Sequence, residues 1–231
     1  MVDLQTALIE RVSSVQTKPE RQEVHINSSK AYHFVKRAFD IALSLVSLVV
    51  LSPVFLIVSA VIFLSDFHSP IFKQQRLTKD SKLFNMYKFR SMCVDAEDRL
   101  AELQEFNEAD EDGKAFKMTD DPRITRIGKF LRKTSIDELP QLVNILKGNM
   151  SFVGPRPPLP REVEEYDDYE LHRLDVKSGL TCYWQCSGRS NLSFDDWVAL
   201  DIKYINEQSL KTDIIIFFKT FGAVLKGDGA V

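Results

Sequence analysis

Asp137 and Glu138 stand side by side in the run Thr134-Ser135-Ile136-Asp137-Glu138-Leu139-Pro140-Gln141, with cations placed regularly upstream. Arg123, Arg126, Lys129 and Arg132 recur every third residue, which on a helix draws one slowly drifting stripe that runs up to Asp137. Two carboxylates beside such a stripe can hold a divalent metal and a diphosphate together, because hard oxygen donors suit Mg²⁺ and guanidinium groups grip phosphate oxygens in pairs. The same residues also allow a plainer reading. Asp137 caps a helix beginning at Glu138 with Pro140 in its first turn, or Ser135 and Glu138 form a capping box. Local sequence leaves both open.

Further cations suited to phosphate lie elsewhere. Lys88 and Arg90, in Lys88-Phe89-Arg90-Ser91-Met92, fall on the same side of an extended segment. In Val153-Gly154-Pro155-Arg156-Pro157-Pro158 the prolines fix the backbone around Arg156, which lowers the entropic cost of holding it against a phosphate. An ordinary turn with a surface arginine has the same composition. Trp184 and Arg189 have the chemistry to contact a nucleotide or sugar, and equally that of a core tryptophan and a turn arginine.

These groups need a scaffold, and the sequence outlines one. Residues 41–64 carry no charge over two dozen positions, long enough to cross a hydrocarbon core. A cleaved signal peptide is not expected, since no small-residue cleavage site follows the run. Pro53 deletes a backbone hydrogen bond and presses on the Val49 carbonyl, and the Ser52 hydroxyl can bond back one turn, so a kink is expected at Ser52-Pro53. Lys36 and Arg37 precede the run and Lys73, Arg76 and Lys79 follow it, a cytoplasmic mark on both flanks that favours a re-entrant helical hairpin over a single-pass helix with a tolerated proline. Residues 1–34 read as a polar tail with a short amphipathic stretch at 4–15.

Past the run, apolar residues on either side of a polar turn at 77–82 suggest a strand hairpin. The acidic stretch 95–112 reads as a solvated helix and loop. Helical periodicity returns at 139–146 and stops near Gly148, and a long amphipathic piece covers 197–225. Its wide apolar face over 210–225 suits a membrane surface or the domain core. A formal net charge of −3 carries no global nucleic-acid signature. Cys93, Cys182 and Cys186 form neither a disulfide framework nor a zinc site, and the four histidines are scattered.

In order along the chain, Lys36-Arg37-Ala38-Phe39-Asp40, Ser52-Pro53, residues 88–92, Asp120-Asp121-Pro122-Arg123-Ile124-Thr125-Arg126-Ile127-Gly128, the run from Leu131 through Asp137-Glu138 to Gln141, residues 153–157 and residues 184–189 are motifs of a known family. From Lys36 to Gly229 the chain resembles the bacterial sugar transferases, the monotopic phosphoglycosyl transferases that begin lipid-linked glycan assembly. Gly179-Leu180-Thr181-Cys182 and the stretch around Asp195-Asp196-Trp197 look most like members that transfer a hexose phosphate from UDP-hexose. Two departures stand out. Thr78, Lys79, Asp80 and Ser81 replace the glycines usual after Arg76, and Asp228 stands where an arginine is common.

The resemblance implies an α+β, mainly helical fold: a polar tail over 1–34, a re-entrant membrane helix-break-helix over 35–67, and a small cytosolic catalytic domain over 68–231 with a short β-hairpin and interfacial amphipathic helices. It also implies a membrane protein on the cytosolic face of the bacterial inner (cytoplasmic) membrane. The implied reaction takes a sugar 1-phosphate from a UDP-sugar to polyprenol (undecaprenyl) phosphate and releases UMP, as the first membrane step of exopolysaccharide, capsule, O-antigen or glycoprotein glycan synthesis. Asp137 would be the nucleophile, Glu138 with Asp137 would hold Mg²⁺, and Lys88, Arg90, Arg132 and Arg156 would bind phosphates. The bilayer is an expected partner, nucleic acid is not, and a homodimer stays open. Two rivals remain: a single-step transfer with both substrates bound together, and a non-enzymatic membrane-anchored scaffold whose acidic pair is only a cap.

Overall fold

The first long helix starts at Ser29, whose hydroxyl accepts from the Tyr32 N–H at 3.3 Å. Helix α1 (Lys30–Val50) therefore begins inside the stretch read from sequence as a tail. The computed structural model describes residues 23–103, 118, 120–186 and 193–226. The amphipathic stretch 4–15, the second half of the acidic run, Arg189 and Asp228 lie outside them.

Helices α1 and α2 (Ser52–Asp66) meet at Leu51 with a bend of 61°. The cause is the expected one: Pro53 has no N–H to give, and the Ser52 hydroxyl donates to the Val49 carbonyl at 2.8 Å. Among the described residues no single helix is long and apolar enough to cross a membrane, while this bent pair qualifies when taken together. Much of its surface is apolar and exposed, including Val49, Val50, Leu56 and Leu64.

Both ends of the pair are fastened to the rest of the chain. In α1, Lys36 donates to Asp213 at 2.8 Å, to the Val153 carbonyl at 3.0 Å and to the Tyr204 hydroxyl at 3.1 Å. Arg37 reaches the carbonyls of Ile145 and Leu146, and buried Asp40 accepts from the Ser151 hydroxyl and the Phe152 N–H. At the end of α2, Asp66 takes two bonds from Arg90 at 2.5 and 2.6 Å, and near the start of α2 Phe55 lies 5.4 Å from Phe89 between ring centroids.

Strands β1 (Ile71–Thr78) and β2 (Lys82–Phe89) form the expected antiparallel hairpin, with Ile71 opposite Phe89 and Thr78 opposite Lys82. At its tip Asp80 and Ser81 sit at φ 58° and 55°, the region glycines favour, so the turn keeps its tightness without them. Helix α3 (Arg126–Lys133) is capped by the Thr125 hydroxyl and helix α4 (Gln141–Lys147) ends at Gly148. Strands β3 (Ser151–Val153) and β4 (Gly179–Thr181) pair in parallel. Their backbones meet so closely that a Cβ on Gly179 would lie 2.1 Å from the Gly154 nitrogen.

The piece read as continuous over 197–225 breaks into α5 (Phe194–Asn206) and α6 (Leu210–Lys226). Helix α6 packs on the domain core through fully buried Ile216, whereas Ile214, Ile215 and Phe218 are exposed. The main core gathers Phe84, Met86, Leu142, Ile145, Phe152, Ile202 and Ile205 between the hairpin, α4 and α5. Beside it lies a fully buried ion pair, in which Arg173 donates to Asp201 at 2.9 Å and to the Tyr166 hydroxyl at 2.5 Å.

Removing one member of that pair leaves a buried charge alone. Asp201→Ala should lower unfolding stability by about 3–5 kcal/mol, and the double variant Arg173→Met, Asp201→Leu should recover most of the loss. Denaturant titration in detergent micelles measures both.

Candidate active site

Lys88 is the penultimate residue of β2, and its ammonium donates to Glu138 at 3.0 Å. The strand and the acidic turn are held in register by Asn144 of α4. Its amide donates to the Asn85 carbonyl at 2.7 Å and accepts from the Tyr87 N–H at 2.9 Å, as a neighbouring strand would. Both bonds are directed, so α4 cannot slide along β2 without breaking one of them.

Arg132 approaches from the last turn of α3. Its Nε donates to the Ser91 hydroxyl at 3.0 Å. Gly128 lets α3 lie directly on that loop, since a Cβ there would fall 1.8 Å from the Ser91 carbonyl oxygen. Burial pushes the Arg132 guanidinium below its ordinary range, while Asp137 and Asp121 pull it back up. Asp121 is itself held by Arg123, with bonds at 2.9 and 2.6 Å.

The acidic pair follows a strained residue. Ser135 has φ 56° and ψ 17°, left-handed for a residue with a side chain, and it turns the chain into the single 3₁₀ turn Ile136–Glu138. Asp137 faces inward at 7% exposure. Its carboxyl is raised to about 6, chiefly by burial; Lys88 opposes the shift, Glu138 adds to it, and Arg132 opposes it. No side-chain cap bond is made by Ser135, and α4 begins after Pro140 without one, so neither capping reading of the acidic pair holds.

The cationic stripe needs correction. Thr125 starts α3 only at Arg126, which leaves Arg123 in the preceding loop, facing Asp121. Of the four cations only Arg132 turns toward the carboxylates; Arg126 and Lys129 point outward. Arg90 also departs from the grouping expected of it, because both its terminal nitrogens are taken by Asp66.

Arg156 and Trp184 sit in a second neighbourhood. The Arg156 guanidinium lies 5.1 Å from the Trp197 ring centre, Arg173 lies 5.2 Å from the same ring, and Trp184 packs on Trp197 at 4.7 Å. Trp184 is thereby a packing residue of the core edge. The loop carrying Arg156 is tied to β1: Arg76 donates to the Pro157 carbonyl at 3.0 Å and the Leu77 N–H to the Pro158 carbonyl at 3.0 Å. Burial, with Arg156 close by, pushes Arg76 down to about 9.

Asn144 was not named from sequence, and Ser91, Asp121 and Arg76 appeared there only within longer motifs or as a flanking cation, with no role of their own at the site. Asn144 left a trace: a polar residue on the buried side of α4, between Leu142 and Ile145. The motifs that hold the others do not show what those side chains contact.

The sequence that builds this helical, two-sheet fold, with its bent helix pair and buried acid, is matched by a family model. The bacterial sugar transferase model covers residues 31–227, and the chain belongs to that family. It is 52% identical over 161 residues to a galactosyl transferase CpsE of Streptococcus agalactiae, covering 69% of this chain and 35% of that protein. It is 42% identical over 205 residues to an undecaprenyl-phosphate galactose phosphotransferase of Salmonella typhimurium, covering 88% and 43%. An exopolysaccharide production protein ExoY of Rhizobium meliloti is 41% identical over 197 residues, covering 84% and 87%. The chain thus spans less than half the length of the first two relatives and most of the third.

The raised Asp137 carboxyl has a consequence for stability. Its folded value of about 6 exceeds the unfolded value of about 3.9, so the native state holds the proton more tightly. Stability from this group is fully present below about pH 4 and is lost as pH rises through about 6. Asp137→Asn should therefore stabilise the fold by up to about 3 kcal/mol at neutral pH and by almost nothing at pH 4. Chemical unfolding at the two pH values tests this.

Proposed function

We propose that this chain transfers a hexose 1-phosphate from a UDP-sugar to polyprenol phosphate such as undecaprenyl phosphate, on the cytosolic face of the bacterial cytoplasmic membrane. One observation carries the reading: in a sugar transferase family member, Asp137 is buried between Lys88 and Arg132 and is spent on no cap. A carboxylate kept out of water is a stronger nucleophile, and nearby cations offset charge on phosphoryl oxygens.

In the first displacement an ionised Asp137 oxygen bonds to the phosphorus that bears the sugar, and the bond from that phosphorus to the UMP oxygen breaks. UMP leaves and a sugar phosphate remains on the carboxylate. In the second, a phosphate oxygen of the polyprenol phosphate attacks the same phosphorus and the bond to Asp137 breaks. The products are a polyprenyl diphospho-sugar and a restored carboxylate. Arg132 and Lys88 steady the phosphoryl oxygens through both steps, and Ser91 orients Arg132.

Asp137 and Glu138 offer two hard oxygen donors, and among the described residues no cluster of three or more His, Cys, Asp or Glu side chains suits a metal. Such a pair fits Mg²⁺, which binds through one or two carboxylates and keeps water and phosphate oxygens. Bound there, Mg²⁺ supplies charge neutralisation for the departing UMP.

The re-entrant reading of the bent pair is supported by its two fastenings. Lys36 on Asp213 and Asp66 on Arg90 both tie it to the one domain, so its entry and exit lie on the same side. That arrangement keeps Asp137 at headgroup level, where the acceptor's phosphate sits while its chain stays in the bilayer. The name of the Salmonella relative makes galactose the first sugar to assay.

Incubation with UDP-galactose and no acceptor should leave a hexose-phosphate mass increment on the Asp137 peptide and release one UMP per chain. The initial rate should climb with pH through about 6 as Asp137 ionises. Asp137→Asn should give neither increment nor UMP; turnover with acceptor but no increment would establish single-step transfer instead. For topology, a cysteine replacing exposed Ile26 should stay unlabelled by an impermeant thiol reagent added to intact cells. Labelling there would overturn the re-entrant reading.

A further inference from the structure

The stripe of cations before the acidic pair is only partly used by the site. Arg132 turns inward, but Arg126, Lys129 and Lys133 all face outward from α3 together with Phe130, which is 60% exposed. At 100° per residue these four positions fall within an arc of about 100°, so they form one face. The opposite face is committed: Gly128 lies on the Ser91 carbonyl, and Leu131 packs with Phe89 and with Ile62 of α2. Helix α3 thus shares a small apolar cluster with the second arm of the bent pair, and its basic face is turned outward.

Little on the protein neutralises that face. Lys129 lies 3.6 Å from Asp120, but both are exposed, and such pairs are weak. Arg126 and Lys133 have no acidic partner among the described residues. An exposed phenylalanine ringed by three cations, on a helix whose opposite face shares an apolar cluster with Ile62 of the bent pair, combines an apolar body with the opposite charge to an anionic headgroup layer.

We propose that this face of α3, Arg126, Lys129, Phe130 and Lys133, docks on anionic phospholipid headgroups of the bilayer that receives the bent pair. The proposal rests on the membrane reading of α1 and α2. It gives the stripe a second role. Its inward member serves the reaction, and its outward members seat the helix that carries Arg132 and leads to Asp137.

The test uses the full chain in nanodiscs of phosphatidylcholine with a minority of phosphatidylglycerol and a trace of undecaprenyl phosphate. A photoreactive benzoylphenylalanine replaces Phe130, or separately Leu56 on α2, and adducts are identified by mass. At position 130 phosphatidylglycerol adducts should exceed that lipid's mole fraction by about twofold or more, and the excess should shrink as salt is raised. The triple change Arg126→Gln, Lys129→Gln, Lys133→Gln should remove the excess while thermal unfolding stays unchanged, since all three side chains are exposed. Lipid adducts at 56 with none at 130, or with 130 matching the bulk mole fraction, would overturn the docking face alone. Undecaprenyl phosphate captured preferentially at 130 would make the face an acceptor site instead. Absence of lipid adducts at 56 would remove the membrane reading and this inference with it.

Discussion

A helix pair with an apolar exterior must be held at both ends if it is to keep one orientation, and the polar side chains at its ends do this. Lys36 is a cation in a helix that is otherwise largely apolar, and it is satisfied threefold by Asp213, Tyr204 and the Val153 carbonyl. Charge-assisted bonds of this kind are short, directional and costly to leave half made. Because Val153 opens the loop that carries Arg156, and Asp213 lies in α6, one ammonium fixes the relative positions of an apolar helix, a glycine–proline loop and an amphipathic helix. The Arg90–Asp66 fork does the same for the other arm and uses the residue next to Phe89, which is packed between α2 and α3.

The acidic turn inherits its geometry from this frame. Lys88 precedes Phe89 in β2, so seating that strand against α2 also sets the cation that faces Glu138. Asn144 then ties the strand to α4, and α4 starts three residues after the acidic pair. The result is a buried carboxyl that destabilises the fold in its ionised form and a left-handed serine just before it. Both are costs that the surrounding packing has to offset.

The parts of this arrangement that depend on neighbours in sequence were readable from it. Ser52-Pro53 gives its bend by a local steric clash, and the hairpin announces itself by apolar runs around a polar turn. The acidic pair could be located but not interpreted, because capping and burial make the same local pattern. What decides between them is Lys88, 50 residues away, and the Asn144 contacts with β2. The period of three in the cations was real, yet the Thr125 cap cut Arg123 out of the helix, and a helix has two sides. Arg90 shows the same limit: alternation put it on the face of Lys88, and Asp66, 24 residues earlier, took it elsewhere. The pairing of Arg173 with Asp201 and the stacking of Trp184 on Trp197 join residues that no periodicity connects.

The spacing of the Lys36 lock bears on how the protein is made. Its acid partner lies 177 residues further along, so when α1 leaves the ribosome its fastening does not yet exist. During that interval Lys36 and Arg37 are bare cations beside an apolar helix, and bare cations are what retain a segment's end on the side of synthesis. The same ammonium therefore serves two stages of the chain's life. Under the proposed re-entrant topology it would first act as a topological signal, and it becomes a structural bond only when Asp213 has been made.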